Sequence, residues 1–229
     1  MNTLKSLLWA LLAVGVMLTG CTREESINVN QDTVYGEYRL VYEANQDRTF
    51  ARATFRFGGV GGTNLLLSEG AEVTYDDDMM TWRNALAYYE KVFNGVEENG
   101  TFSYTDLDGN VFVNEVNMAK AIALPDSLNE ISESSAFTLT WEGDPIEAGE
   151  IVTVTIIGSN ERNDRAFTTA DVGDNFIVLR QDKLEDLGLG TAKLTIERRL
   201  NADIQQGTSR GGAIWSRYVV GPVDVTIVE

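Results

Sequence analysis

The 229-residue chain contains no histidine and a single cysteine, Cys21. Ser-His-Asp triads, Cys-His dyads and histidine-ligated zinc or iron are therefore excluded, and a lone thiol leaves no intramolecular disulfide. Any catalysis would fall to carboxylates, tyrosine, lysine or serine. Proline is scarce, three in all, and none precedes Pro125. Basic residues are few: 18 Lys and Arg stand against 35 Asp and Glu, for a net charge of −17. That balance argues against nucleic acid as a partner, because phosphate binding needs a basic surface. Long hydrophobic runs are missing too. The longest, Leu7 to Leu18, has twelve residues, where a transmembrane helix needs about 20.

That run follows Met1-Asn2-Thr3-Leu4-Lys5-Ser6 and leads into Thr19-Gly20-Cys21. One positive charge, a short apolar stretch and small residues at its end read as a secretory signal peptide over 1–20. The tetrad Leu18-Thr19-Gly20-Cys21 resembles the lipobox of bacterial lipoproteins. The resemblance implies that the Cys21 thiol takes a diacylglycerol, that cleavage precedes it, and that the new amino terminus is acylated. Each buried methylene contributes about 0.8 kcal/mol, so two or more chains hold firmly where one holds weakly. The membrane is thus an expected partner through Cys21. The next residues, Thr22-Arg23-Glu24-Glu25-Ser26, resemble the surface-export signal of Bacteroidota lipoproteins, which implies an outer-membrane location facing outward, with the periplasmic face as the alternative.

Removing the leader takes Lys5 with it and leaves 17 basic against 35 acidic side chains in the 209 residues from Cys21 to Glu229. Anionic lipid headgroups repel such a body, which fits a domain held off the bilayer by its anchor. Residues 21–33 are polar and lack periodicity, and read as the lipidated cysteine and a flexible tether.

Alternation of period two dominates the remainder and predicts strands with one buried face. Tyr38, Leu40 and Tyr42 alternate with polar residues, as do Ala51, Ala53, Phe55 and Phe57, across a turn at Asn45-Gln46-Asp47-Arg48. The expected pairing sets Tyr42 opposite Ala51, Tyr38 opposite Phe55 and Glu37 opposite Arg56. It makes the arginines of this hairpin members of cross-strand ion pairs rather than an anion site. A second hairpin joins Thr101–Thr105 to Val111–Val113 through Asp106-Leu107-Asp108-Gly109-Asn110, whose Asp-Gly step supplies a positive φ. An EF-hand reading of that loop fails, because Gly109 is fourth rather than sixth and Asn117 stands at the twelfth place. Between the hairpins, Met79, Trp82, Leu86, Tyr89 and Phe93 fall at helical spacing, with Asp78 as an N-cap and Gly95 beyond the end. Tyr88 to Phe93 is also rich enough in aromatic and β-branched residues for an edge strand, and loop plus strand is the preferred reading of 79–93.

Composition changes at Ala121–Ser127, which divides the body into 34–120 and 121–229. The second part repeats the alternation at Phe137/Leu139/Trp141, Val152/Val154/Ile156, Phe176/Val178, Ala192/Leu194/Ile196 and Val223/Val225/Ile227. Leu184 to Gly190 resembles the short helical turn that crosses between the sheets of immunoglobulin-like domains. The body as a whole resembles tandem immunoglobulin-like sandwich surface lipoproteins of Bacteroidota. The expectation is an all-β chain of two tandem immunoglobulin-like β-sandwiches, and fold alone does not fix function.

Candidate sites are sparse. Asp76-Asp77-Asp78 with Trp82, Tyr88 and Tyr89 would pair acidic groups with a stacking platform for a sugar, against a solvated loop and core aromatics. The segment Leu200 to Gly212 holds Arg210 and is the longest strandless connection of the second part, where sandwiches often carry recognition. A flexible hairpin tip is its plain reading. Asp32-Thr33-Val34 and Asp126-Ser127-Leu128 resemble the Asp-Ser/Thr-apolar acceptor for O-glycosylation in Bacteroidota, which would place glycans on Thr33 and Ser127. No metal or cofactor is implied. These features predict a lipid-anchored, non-catalytic binding or adaptor protein of the envelope, with an envelope protein or glycan as partner. A surface glycan-binding module is the alternative. A carboxylate-based hydrolase would need two acids about 5 to 9 Å apart in a cleft.

Overall fold

A computed structural model describes residues 23–159 and 164–229. Cys21 and the leader before it lie outside the described residues. Seventeen strands carry the described chain: β1 Glu24–Glu25, β2 Val34–Glu43, β3 Arg48–Phe57, β4 Thr63–Leu66, β5 Glu72–Tyr75, β6 Asp78–Met79, β7 Thr81–Arg83, β8 Tyr88–Asn94, β9 Asn99–Thr105, β10 Val111–Asn117, β11 Glu130–Ser132, β12 Phe137–Thr140, β13 Glu150–Ile157, β14 Asp164–Thr169, β15 Phe176–Leu179, β16 Gly190–Ala202 and β17 Gly212–Val228. The chain is an all-β sandwich, as its alternation predicts. No helix among the described residues is long and apolar enough to cross a membrane.

One long sheet runs β1-β4-β3-β2-β17-β16-β13-β14, with β8 joined to β3, β7 to β8, and β11 to β17. Two smaller sheets cover it, β10-β9-β5-β6 at one end and β12-β15 at the other. Each enclosed space has its own core. The first gathers Tyr38, Leu40, Phe55, Tyr75, Phe102 and Tyr104, and the second Trp141, Val154, Ile156, Leu179, Leu194 and Ile196. Ring edges meet ring faces in the first, with Tyr38 and Phe55 centroids 6.1 Å apart at 82°, a geometry that adds to the area the rings bury.

The last hairpin serves both cores. Gly212–Val219 of β17 pairs in parallel with Gly36–Glu43 of β2, while the far end of β17 pairs in parallel with β11. Gly212 sits where β17 meets β2, and a Cβ there would lie 2.4 Å from the Gly36 carbonyl oxygen. Midway, the register shifts between Leu194 and Ile196 of β16, opposite Gly221-Pro222. Pro222 has no N–H to give the ladder and falls at this irregularity. The extra residue changes which parity faces inward, so Ile214 enters the first core and Val225 and Ile227 the second.

Several expectations need correction. Residues 24–33, read as tether, pack on the first sandwich: β1 pairs with β4, Gln31 is buried with its Nε2 donating to the Ser26 and Val29 carbonyls, and Arg23 lies 5.3 Å from the Trp82 ring. The first hairpin is displaced by two residues, Tyr42 facing Thr49, Tyr38 facing Ala53 and Glu37 facing Thr54. The cause is a loop at Ala44–Asp47, where Asp47 takes a positive φ and accepts the Tyr42 hydroxyl at 2.9 Å. A slip of two keeps every side chain on its face, so the inward residues were rightly identified except Phe57, which is exposed. Strand β15 presents the opposite face to that expected, burying Ile177 and Leu179 and exposing Phe176 and Val178. The helical turn falls at Gln181–Leu184 and inserts Leu184 into the second core. Over 79–93 the chain forms β6, β7 and β8, with no helix.

Candidate recognition surface

The side of the long sheet turned away from both cores is built from alternate residues of five strands. Directly paired residues share a face, so the pairings define transverse rows. One runs Glu90, Arg52, Arg39, Trp215, Asn201 across β8, β3, β2, β17 and β16. The next runs Val92, Phe50, Val41, Arg217, Arg199. With Arg56 and Arg83, this face concentrates arginine in a strongly acidic chain.

In both rows two arginines stand directly opposite one another, an arrangement that costs energy unless the charge is met. In each case one member makes a direct ion pair and the other makes none among the described residues. Arg52 Nε donates to Glu90 at 2.8 Å and Arg217 Nη1 to Glu197 at 2.9 Å. Arg39 donates only to the Thr54 hydroxyl, at 3.0 Å, and Arg199 makes no ion pair or hydrogen bond with the described residues. The Nε atoms of both are sealed off without a partner. Both guanidiniums instead approach Trp215, at 6.0 and 4.3 Å from the ring centre, and Arg39 also approaches Tyr88 at 5.5 Å. Such contacts supply part of the stabilisation a carboxylate would give. Burial pushes the pKa of Arg39 and of Arg199 down, with the Glu37 charge acting in opposition. Burial also opposes the charge of Glu37, yet the hydrogen bond from Arg56, with the Arg39 and Arg56 charges, holds its carboxyl below the ordinary range.

The residues singled out for sugar binding are not brought together. Trp82 and Tyr89 are opposite neighbours on β7 and β8, with rings 4.9 Å apart on the core side, and Tyr89 is buried with its oxygen accepting the Leu67 N–H. Tyr88, one residue before Tyr89, faces the other way toward Arg39 and Arg52. A shared platform of Trp82, Tyr88 and Tyr89 is therefore overturned by the alternation of the strand itself. Asp76 and Asp77 are the two positive-φ residues of a tight turn between β5 and β6, and Asp76 accepts the Thr101 N–H. Asp78 pairs with Lys91. Among the described residues no group of three or more acidic or cysteine side chains could hold a metal ion.

Arg210 lies at the β16–β17 tip, which is pinned rather than free. Gln205 and Gln206 bond along β10, Thr208 donates to the Val34 carbonyl, and Ser209 bonds Asp32. Those Ser209 hydrogen bonds, with the Arg210 charge, lower the Asp32 pKa against a desolvation effect. Thr33 lies in a short 3-10 turn with its hydroxyl donated to the Asn30 carbonyl, whereas Ser127 is exposed. In the Asp106 loop, the buried carboxylate accepts from the amides of Asp108 and Asn110, which uses it up within the turn. A cleft of about 430 Å³ beside β12 is lined in part by Glu130 and Glu142, both exposed.

Arg39, Trp215 and Arg199 form the best-defined cluster of this face, and sequence reasoning missed it. The available signal was the alternation in Glu197-Arg198-Arg199 and Trp215-Ser216-Arg217, but the parallel pairing that sets Trp215 beside Arg39 joins residues 176 apart.

No protein-family model and no curated protein sequence matches the chain. Solved structures give loose likenesses. A cytokine receptor complex aligns over 83% of this chain and 96% of its own at 9% identity, with a TM-score of 0.32. A bacterial ice-binding adhesin covers 85% and 65% at 12% identity, TM-score 0.26. The Yersinia pseudotuberculosis adhesin InvE covers 85% and 59% at 14% identity, TM-score 0.22. Superpositions this loose bear on neither ancestry nor activity.

Proposed function

We propose that the chain is a lipid-anchored, non-catalytic envelope protein that holds a partner molecule on the outer face of its long sheet. The observation that carries this reading is the cluster of Arg39, Arg199 and Trp215 on a face that spans both cores, where neither guanidinium makes a direct ion pair among the described residues and only the Glu37 and Glu197 charges reach them from nearby. The lipobox-like Cys21 supports the anchor. The absence of histidine supports a binding role over a catalytic one. Location at the outer membrane, facing the exterior, rests on the signal and on residues 22–26.

A photo-crosslinking side chain placed at Ala213, on that face, tests the binding role in cells. Discrete adducts are expected from Ala213 and none from Ser103, on the opposite sheet. Equal labelling from both positions, or none from either, defeats the proposal. For the anchor, Cys21→Ala is expected to abolish incorporation of labelled fatty acid and to shift the protein out of the detergent phase.

A further inference from the structure

We infer that the cleft beside β12 accepts an extended, positively charged polypeptide, which adds as a strand to the open edge of the small β12-β15 sheet. This second site lies on the second sandwich and does not depend on the outer face of the long sheet.

Pro125 is what leaves the edge open. Ala123 and Glu142 form an antiparallel bridge, each N–H donating to the other's carbonyl at 2.9 Å. Continued by two residues, that register would set Pro125 opposite Thr140, where it has no N–H to donate. The chain turns away instead: the Leu128 N–H donates to the Pro125 carbonyl, and β11 then joins β17 in the long sheet. Strand β12 is therefore paired on one side only, with β15. Trp141 donates its N–H to the Asn175 carbonyl at the end of that ladder, so Phe137 and Leu139 also turn their main-chain groups toward β15. Thr138 and Thr140 turn theirs the other way, to the side on which Glu142 meets Ala123. Among the described residues no strand or side chain takes up the N–H and C=O groups of these two threonines. They open on the cleft of about 430 Å³ that Pro125, Ser127 and Leu128 wall from the opposite side.

An open edge is a template for another strand, and folded proteins commonly block it with lysine, proline or a covering segment. Strand β12 has none of these: it reads Phe137-Thr138-Leu139-Thr140, with both threonines exposed. Elsewhere the chain does cover an edge, Gln205 and Gln206 bonding along β10. Main-chain donors and acceptors at strand spacing select a polypeptide, whose own backbone repeats at the same interval. The residue of the added strand opposite Leu139 turns toward the core side, where Leu128 and Phe137 are half-buried at the cleft, so an apolar side chain fits there. Its neighbours turn outward beside Thr138 and Thr140, on the same face as Glu142. Glu130 and Glu142 are exposed at the cleft and no basic residue lines it, which selects lysine or arginine at those outward positions. A second copy of this chain is disfavoured as occupant, because it is strongly acidic and would set one pair of glutamates against another.

The test uses the full chain in detergent and, as probe, a short capped peptide of alternating lysine and valine, read by fluorescence anisotropy. One control is the same peptide with every amide N-methylated, which keeps the charge and removes the strand donors. A peptide of alternating glutamate and valine is the other. Binding of the lysine peptide alone is expected, with hydrogen exchange at Thr138 and Thr140 slowed about ten-fold or more and exchange in β10 unchanged. Glu142→Lys should weaken binding about five-fold or more, and Asp203→Lys, which reverses an exposed acid at the β16–β17 tip, should leave it unchanged. Thr140→Pro removes an edge donor that the fold itself does not use and should abolish binding. Thermal melts confirm folding, and Glu142→Lys decides the matter should the proline variant not fold. Absence of binding, equal binding of the N-methylated peptide, unchanged exchange at the two threonines, or indifference to Glu142→Lys would overturn the inference. So would slowed exchange there on self-association without peptide, which would make a second copy the occupant. None of these variants should alter capture at Ala213, which reads the other surface.

Discussion

Asn114 and Gln206 clasp one another in both directions: the Asn114 Nδ2 donates to the Gln206 carbonyl at 2.9 Å, and its Oδ1 accepts the Gln206 N–H at 3.0 Å. The same Oδ1 accepts the Gln205 N–H at 2.9 Å, and Asn114 is wholly buried. One amide side chain on β10 thus ties the tip of the terminal hairpin to the first sandwich. Both glutamine side chains extend the connection by bonding the main chain of β10, a free strand edge that would otherwise invite association.

Asn114→Ala leaves several buried groups unmatched and is expected to cost about 2 to 4 kcal/mol. At this chain length each kcal/mol corresponds to about 2 to 4 °C in melting temperature. Calorimetry reads the loss, and hydrogen exchange at residues 203–211 should accelerate more than in the second core.

Arg198 is fully buried, 3.9 Å from Glu150, and donates to the Asp144 carbonyl. Removing one partner of a buried pair typically costs about 3 to 5 kcal/mol. Arg198→Met is expected to fall in that range by denaturant unfolding, and adding Glu150→Gln should restore part of it. A double variant no more stable than the single one would show that Glu150 is not what Arg198 neutralises.

Acid should weaken the fold through Glu37. Its folded-state pKa lies below the ordinary value, so its contribution is fully present above the unfolded value and is lost as pH falls through the folded one. Glu37→Gln should therefore be less stable than the parent at neutral pH, with the gap closing below the ordinary carboxylate range. Denaturation midpoints across a pH series check the sign.

Asp77 occupies a left-handed conformation that glycine adopts at less cost. Asp77→Gly should gain about 0.5 to 1 kcal/mol, and millimolar calcium should not change the melting temperature of either form. Calcium stabilisation lost in the variant would return the acidic triplet to a metal-binding role.

Local chemistry was legible and long-range pairing was not. The inward residues of β2, β3, β13 and β16 follow from alternation, apart from Phe57 at the end of β3, and the Asp106 loop follows from its Asp-Gly step. The β15 face was misread because Phe176, Ile177, Val178 and Leu179 are all apolar, so periodicity offers no choice between parities. The arginines of β2 and β3 were assigned to ion pairs, which holds for Arg52 and Arg56 but not for Arg39. What sets Arg39 apart is Trp215, brought beside it by a parallel pairing that no local pattern encodes.

That parallel pairing also decides how the molecule bears a load. Tension between the start of β2 and the end of β17 drags the two strands lengthwise in opposite directions. The eight residue pairs joining them are then sheared together instead of being unzipped one by one. Single-molecule pulling from those two points should give one abrupt high-force rupture, whereas a staircase of small events would show that the strands peel.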